Sequence, residues 1–424
     1  MKSILVFLLV FSIIVVIHEF GHYFFAKRAG ILVREFSLGM GPKLFSNQGK
    51  DGTTYTIRML PLGGYVRLAG LNDEEDIEPG MQVALSLNQA GQVETIHLNE
   101  DPLAVDTLIG RVNQVDLARA MEIELIPIGQ DQIQRLSVSK RANIIEKDGT
   151  KIPVAPIERR YESASVGHKI LTNFAGPLNN FILSILLFTV IGFMIGEKTT
   201  DQWNIGQVTE NSAAAKAGLQ AGDIIVALDD QPIGSWEDLV EKTRSMPGQT
   251  VSVTVDRDQQ EFETSMTIGQ AKDEQTGETY GQMGIYQGYV TEPMSLSEKI
   301  TYGFSQTFLV IAMVFKAIMA WFTKGFSIND LGGPVAMAQM TQEVVTYGFV
   351  PVLAFMAMLS ANLGFMNLLP IPALDGGKII LNLIEGVRGK PLSQEKEGII
   401  TLIGISLLII LMVLVTWNDI MRLF

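Results

Sequence analysis

The sequence predicts a polytopic α-helical membrane protein of four spans, with a β-rich insertion after the first span and a small α+β domain after the second. Three observations predict it. Four runs of about 20 apolar residues, the length a bilayer demands, lie at Ile4 to Phe25, Ile170 to Ile195, Val350 to Leu369 and Ile399 to Trp417. Between the first two runs, apolar and polar residues alternate with the period of strands. Between the second and third, the order is strand, Gly-Asp turn, strand, helix, strand. At 47% hydrophobic over 424 residues, with mean hydropathy +0.25, the chain is too apolar for an average soluble protein and too polar for a helical bundle alone.

The bulk numbers exclude several classes. A net charge of −13 argues against a nucleic-acid partner. The chain has no cysteine, which rules out disulfides and thiolate ligands. Any bound metal must therefore use histidine and carboxylate.

The first span carries chemistry. It ends in Phe24-Phe25-Ala26-Lys27-Arg28 with no small-x-small cleavage site, so it reads as a retained helix rather than a cleaved leader. Within it, His18-Glu19-Phe20-Gly21-His22 spells H-E-x-x-H, and two of the chain's four histidines fall there. Spaced four apart on a helix, both imidazoles leave from one face. Glu19 beside them is placed to act as base for a metal-activated water. Ionisable groups inside a span are expensive and mark function. The pattern therefore puts hydrolytic chemistry, which needs water, inside the bilayer.

The loop that follows is basic near both ends, with Lys27, Arg28 and Arg34, then Arg159, Arg160 and Lys169. The short loop between the last two spans holds Lys378, Arg388, Lys390 and Lys396. The positive-inside rule makes both cytoplasmic, so residues 26–169 lie inside and the α+β domain outside. Phe36 to Leu68 alternates and is punctuated by glycines, which predicts short strands and hairpins. Asn72 to Glu78 is an acidic turn. From Met81 to Pro156, period-two stretches such as Glu122 to Ile128 and the turn Lys147-Asp148-Gly149 predict a small β-rich module with no evident chemistry.

In the outer domain, Gly218 to Ile225 and Ala227 to Ile233 predict strands about a Gly-Asp turn. Ser235 caps a helix starting near Trp236, and Thr250 to Val255 alternates as a strand. Asn204 to Ile268 resembles a PDZ domain of the bacterial protease type, which implies capture of a peptide or ectodomain at a strand edge. The division expected is 1–70, 71–165, 166–197, 198–272, 273–345 and 346–424. A further apolar stretch, Phe304 to Phe322, carries Gln306 and Lys316. A fifth span would put one basic loop outside, so this stretch is expected to lie in the interface.

A catalytic zinc needs three protein ligands, and the other histidines, His97 and His168, lie outside the spans. Asp375, in Asn367-Leu368-Leu369-Pro370-Ile371-Pro372-Ala373-Leu374-Asp375-Gly376-Gly377, is the better candidate. Pro370 and Pro372 break the helix there and let a carboxylate turn inward. On the residues alone, an aspartate at a membrane-exit turn is an equally ordinary reading.

H-E-F-G-H in the first span, N-L-L-P-I-P-A-L-D-G-G after the third and the domain between them together resemble the site-2 protease family, and within it the bacterial regulator-of-sigma proteases (RseP/RasP type) with one PDZ domain. The resemblance runs from Ile4 to Ile420. It implies one Zn2+ held by His18, His22 and Asp375, with Glu19 activating water. It implies that Leu60 to Val66 is a membrane-entering β-hairpin, with Gly63, Gly64 and Tyr65 at an edge that pairs with substrate. It implies that Asn362 and Asn367 contact substrate or support that geometry, and that Asn173 to Pro177 packs closely around Gly176. It further implies a bacterial plasma-membrane endopeptidase cutting pre-trimmed single-span proteins, such as anti-sigma factors and signal-peptide remnants. Two other classes are weighed beside it: a non-enzymatic membrane scaffold with a structural zinc, and a metal or proton transporter. The transporter is disfavoured because no paired repeat is visible.

Overall fold

The computed structural model describes residues 2–71, 77–98, 107–272 and 278–422. Residues 72–76 of the expected acidic turn lie outside them. The chain forms two compact units, one of Met1–Ile191 with Thr301–Phe424 and one of Gly192–Ile300.

In the first unit, α1 (Lys2–Arg28) is an unbroken apolar helix closed by two basic residues, which favour a helix C-terminus. Next come β1 (Val33–Gln48) and β2 (Thr54–Leu68). Residues 35–38 pair with 64–67 and also with 54–57, so the two long strands fold into four short segments side by side. Segment 64–68 pairs on one side only among the described residues.

The module beyond is built from β3 (Gln82–Leu87), β4 (Val93–His97), β5 (Thr107–Asp116), β6 (Glu122–Pro127), β7 (Gln134–Ile145) and β8 (Lys151–Pro153). Strand β6 alternates half-buried and buried residues throughout, as its period predicts. The sheet runs β4-β3-β5-β6-β7-β8, and a parallel β4–β7 pairing closes it on itself. Val83, Leu85, Val93, Ile96, Ile123 and Leu125 fill the interior. Polar contacts tie the module to the hairpin: Gln48 Nε2 donates to Asn143 Oδ1 at 2.8 Å, and Arg67 pairs with Glu146. The fold then enters α2 (Val166–Ile195), which carries Pro177 inside it.

The second unit contains β9 (Glu197–Val208), α3 (Ala213–Lys216), β10 (Ile224–Leu228), β11 (Gln231–Pro232), α4 (Trp236–Arg244), β12 (Thr250–Arg257), β13 (Gln260–Thr267), β14 (Gly269–Lys272), β15 (Thr279–Gln282) and β16 (Ile285–Pro293). Its main sheet runs β11-β10-β12-β13, while β9 pairs with β16. Ser235 Oγ accepts from Asp238 N at 3.1 Å and starts α4, as its residue type predicts. Strand β12 buries Val251, Val253 and Val255 with Ile205, Ile225 and Leu239. A groove of about 190 Å³ opens between Trp236, Val240 and Arg244 of α4 and the segment Tyr280 to Ile285.

The first unit resumes within α5 (Leu296–Lys324) and continues through α6 (Pro334–Thr346), α7 (Phe349–Asn367), α8 (Asp375–Arg388) and α9 (Gln394–Met421). The Asp419 carboxylate, near the end of α9, accepts from Gly333 N at 3.3 Å and Ala336 N at 3.0 Å, capping the start of α6. Helix α8 has an inverted polarity. Ile380, Leu383, Ile384 and Val387 form its exposed stripe, while Asn382 is buried and Glu385 is bonded to Lys169 of α2.

By length and composition five described helices could cross a membrane, not the four expected, and the fifth is α5. The expected count of four follows from loop charge, whereas α5 reaches 29 residues because apolar sequence continues on both sides of Gln306 and Lys316.

Candidate metal centre

Helix α1 turns His18 and His22 to one side, with ring centroids 4.9 Å apart. Both are buried, at 7% and 9% exposure. The third group arrives from a broken helix. Helix α7 ends at Asn367, the chain passes Pro370 and Pro372, and α8 begins on Asp375, itself 8% exposed. Ala373 takes φ +78° in that turn, a left-handed conformation that costs a non-glycine residue roughly 1–2 kcal/mol. Gly376 is needed for the turn to close, because a Cβ there would run into the Leu368 and Leu369 carbonyls.

Three donor atoms meet in a near-equilateral triangle. His18 Nε2 lies 3.2 Å from His22 Nε2 and 3.2 Å from Asp375 Oδ2, and His22 Nε2 lies 3.3 Å from the same oxygen. Ligands about 2.0–2.1 Å from a tetrahedral zinc stand about 3.3 Å apart, so the triangle has the size of one tetrahedral face. Asp375 Oδ2 is buried without a hydrogen-bond partner, and two imidazole nitrogens facing each other need a cation or a proton between them. Two nitrogens and one oxygen are a donor set that suits zinc, and among the described residues this is the group of His, Asp and Glu side chains able to hold a metal ion.

Helix α2 contributes no ligand but orients those of α1. His22 Nδ1–H donates to Thr172 O at 2.8 Å, which leaves Nε2 with its lone pair inward. His18 Nδ1 lies 3.2 Å from the Asn180 amide nitrogen, and Asn180 Oδ1 is buried without a partner. For His18 Nε2 to serve as a ligand, Nδ1 must carry the proton. The amide turned about its own axis then supplies the accepting oxygen. The helices approach through glycine: a Cβ on Gly176 would collide with His22 Nε2 and stand 2.8 Å from His18 Nε2. This is the close packing around Gly176 that the family resemblance implies. Thr172 and Asn180 were not foreseen. The signal for Asn180 was an amide inside an apolar span.

Glu19 lies within electrostatic range of His18, His22, Asp375 and Lys378. A Cβ on Gly63, which takes φ +85°, would meet Met40 Cε at 3.5 Å and Cγ1 of Val15 on α1, one turn before His18, at 3.9 Å. A Cβ on Gly64 would stand 2.6 Å from Ser37 O, so the backbone that approaches this glycine belongs to its own hairpin partner. Burial, and then the Glu35 carboxylate, push the Tyr65 hydroxyl up to about 12, so it is neutral at physiological pH. Asn362 and Asn367 are half-buried on α7, and neither side chain bonds to another described residue. Of the expected substrate-contacting residues, Gly63 thus faces α1, and Gly64 and Tyr65 follow it along the hairpin edge.

Comparisons with known proteins bear on what this geometry does. A family model described as peptidase family M50 matches residues 6–411. A relative from Enterococcus faecalis bearing the name protease eep is 47% identical over 427 residues, covering 100% of both chains. A relative from Streptococcus pyogenes bearing a zinc metalloprotease name is 43% identical over 430 residues, again covering 100% of both. Among solved structures, the PDZ domain of an SdrC-like protein from Listeria innocua is 25% identical over 20% of this chain and 92% of its own, with a TM-score of 0.18, too low to bear on the fold.

Proposed function

The chain belongs to peptidase family M50, and from that premise we propose that His18, His22 and Asp375 hold one Zn2+ for cleavage of a peptide bond within the bilayer. The chain is a zinc-dependent, membrane-embedded endopeptidase of the site-2 protease type. What carries the residue assignment is the buried triangle of donor atoms with sides of 3.2–3.3 Å.

A zinc ion held by His18, His22 and Asp375 would supply a water activated towards a pKa of ~7 and a Lewis acid for the scissile carbonyl. Glu19 takes the proton of the attacking water and later delivers it to the leaving amine. Thr172 and Asn180 keep the imidazoles in the ligating tautomer. A substrate helix must unwind first, because its carbonyls are tied in i to i−4 bonds. The free edge of 64–66, beside Gly63, replaces those lost bonds with strand pairing. Asn362 and Asn367, with uncommitted amides on α7, are the side chains available to a bound peptide backbone.

The substrates in this reading are single-span membrane proteins already trimmed outside, including anti-sigma factors and signal-peptide remnants. The unit Gly192–Ile300 is an outer PDZ-type domain that screens them, with the groove beside α4 as its peptide site. Deleting 198–272 then permits cleavage of untrimmed substrate; unchanged selectivity would sink the screening role.

Residues 26–169 face the cytoplasm of a bacterial cell. Asp419 and the start of α6 share one end of the unit, which supports α5 both starting and finishing on the outer side. Five apolar helices then make four crossings. A cysteine placed at Phe326 in this cysteine-free chain is labelled from outside on this topology, and labelling from inside alone refutes it.

The central test uses the purified protein and its Glu19→Gln variant with labelled single-span peptides, mapping products by mass. Cleavage within the span by wild type alone, stopped by a zinc chelator, supports the mechanism. Equal cutting by the variant overturns the role of Glu19, and a variant as functional as wild type in the cell returns the scaffold reading.

A further inference from the structure

Helix α8 begins with Asp375, and further along it is held by polar bonds to the segment that leads into α2. Lys169, in the first turn of α2, is 2% exposed, and its Nζ donates to both oxygens of Glu385, at 2.8 and 2.9 Å. The same ammonium stands 5.6 Å from the centre of the Tyr161 ring. The Tyr161 hydroxyl accepts from Asn173 Nδ2 at 2.7 Å and from Asn382 Nδ2 at 2.8 Å. Lys169 and Asn173 are four apart on α2, and Asn382 and Glu385 three apart on α8, so each pair lines one helix face. Four buried side chains and the half-buried Glu385 thus form one cluster with Tyr161 at its middle.

The cluster sits where both kinds of ligand are referenced. Thr172, adjacent to Asn173, accepts the bond that orients His22. One turn of α2 therefore holds His22 through its backbone and the helix of Asp375 through its side chains. A buried ion pair adds little net stability over a well-packed apolar pair, and a fixed register is among the uses attested for one. Register matters here. A one-residue slip along a helix moves it about 1.5 Å, whereas metal–ligand distances hold to within about 0.2 Å.

We propose that Tyr161, Lys169, Asn173, Asn382 and Glu385 are positioning residues that fix α8 on α2 and thereby set the reach of Asp375 toward His18 and His22. The proposal rests on those three residues being the zinc ligands.

The test uses the full chain in detergent. Metal affinity is read by chelator competition, ligand geometry by the absorption spectrum of the cobalt(II)-substituted protein, and turnover by kcat and KM separately. Asp375→Ala must lose tight metal binding; if it does not, the ligand reading fails and the proposal falls with it. With that established, Tyr161→Phe and Glu385→Gln should weaken metal binding about 10- to 100-fold, shift the cobalt spectrum and lower kcat with KM unchanged. Tyr161→Phe keeps the ring and removes only the accepting hydroxyl, so it remains informative if Glu385→Gln does not fold. Ser184→Ala, which breaks an equally buried bond to Thr307 elsewhere on α2, should leave affinity and spectrum as in wild type. Wild-type affinity and spectrum in Tyr161→Phe, or an equal loss in Ser184→Ala, would overturn the proposal.

Discussion

Helices α1 and α2 are two apolar helices of similar length, 27 and 30 residues, with opposite duties at one site. Helix α1 buries two polar side chains, His18 and His22, and both face the same point. Helix α2 buries Lys169, Thr172, Asn173, Asn180 and Ser184, and none of them reaches that point as a ligand. The contrast separates holding a metal from deciding where it is held. A ligand helix needs two residues at the right spacing. A framing helix needs polar groups along its length: here Lys169, Asn173, Asn180 and Ser184 each meet another segment through the side chain, and Thr172 meets His22 through its backbone carbonyl.

That comparison can be broken at the contact between the two helices. Gly176→Ala pushes a methyl into His22, so metal content should collapse and stability should fall by about 1–3 kcal/mol, read by metal analysis and thermal unfolding. Full metal occupancy in that variant would mean that the helices are free to separate. The next effect is smaller. Asn180→Ala removes the group facing His18 Nδ1 and should weaken zinc binding about 10- to 100-fold in chelator competition, with Glu19 chemistry otherwise intact. An unchanged affinity would assign the tautomer of His18 to something other than α2. The smallest sharpens the boundary of the frame. Ser184→Ala should cost about 0.6 kcal/mol in unfolding and leave zinc affinity unaltered, since its hydroxyl bonds to Thr307 of α5 rather than toward the ligands.

The same contrast explains what was legible in the sequence. His18 and His22 are visible because a helix turns a spacing of four into a shared direction. Asp375 lies more than 350 residues beyond them, and no local period links it to α1. Its two prolines predicted a break in the helix and made it the better candidate, but an ordinary aspartate at a membrane-exit turn read equally well until the family resemblance decided. The framing groups were harder still. A lone Asn180, or a Lys169 whose partner is 216 residues away, carries no spacing at all, and each gains meaning only when two helices are laid together. The β module shows the same limit. Alternation in Glu122 to Pro127 announces a strand, yet the parallel pairing of β4 with β7 that closes the sheet joins segments about 40 residues apart with no pattern between them. For α5, length and loop charge pulled in opposite directions, so the count of spanning candidates differed from the expected count of spans.

Helix α8 wears its surface inside out: its polar stripe is committed to α2, and Ile380, Leu383, Ile384 and Val387 stand outward. On the topology proposed above, acyl chains would form the outer wall of the helix that begins with Asp375, and extraction would replace that wall. Changing the detergent changes a packing partner of an active-site helix rather than only its solvent. On that topology, chain length and lateral pressure in the surrounding amphiphile become variables of the metal site, and activity recovered after solubilisation measures how well a micelle imitates the bilayer.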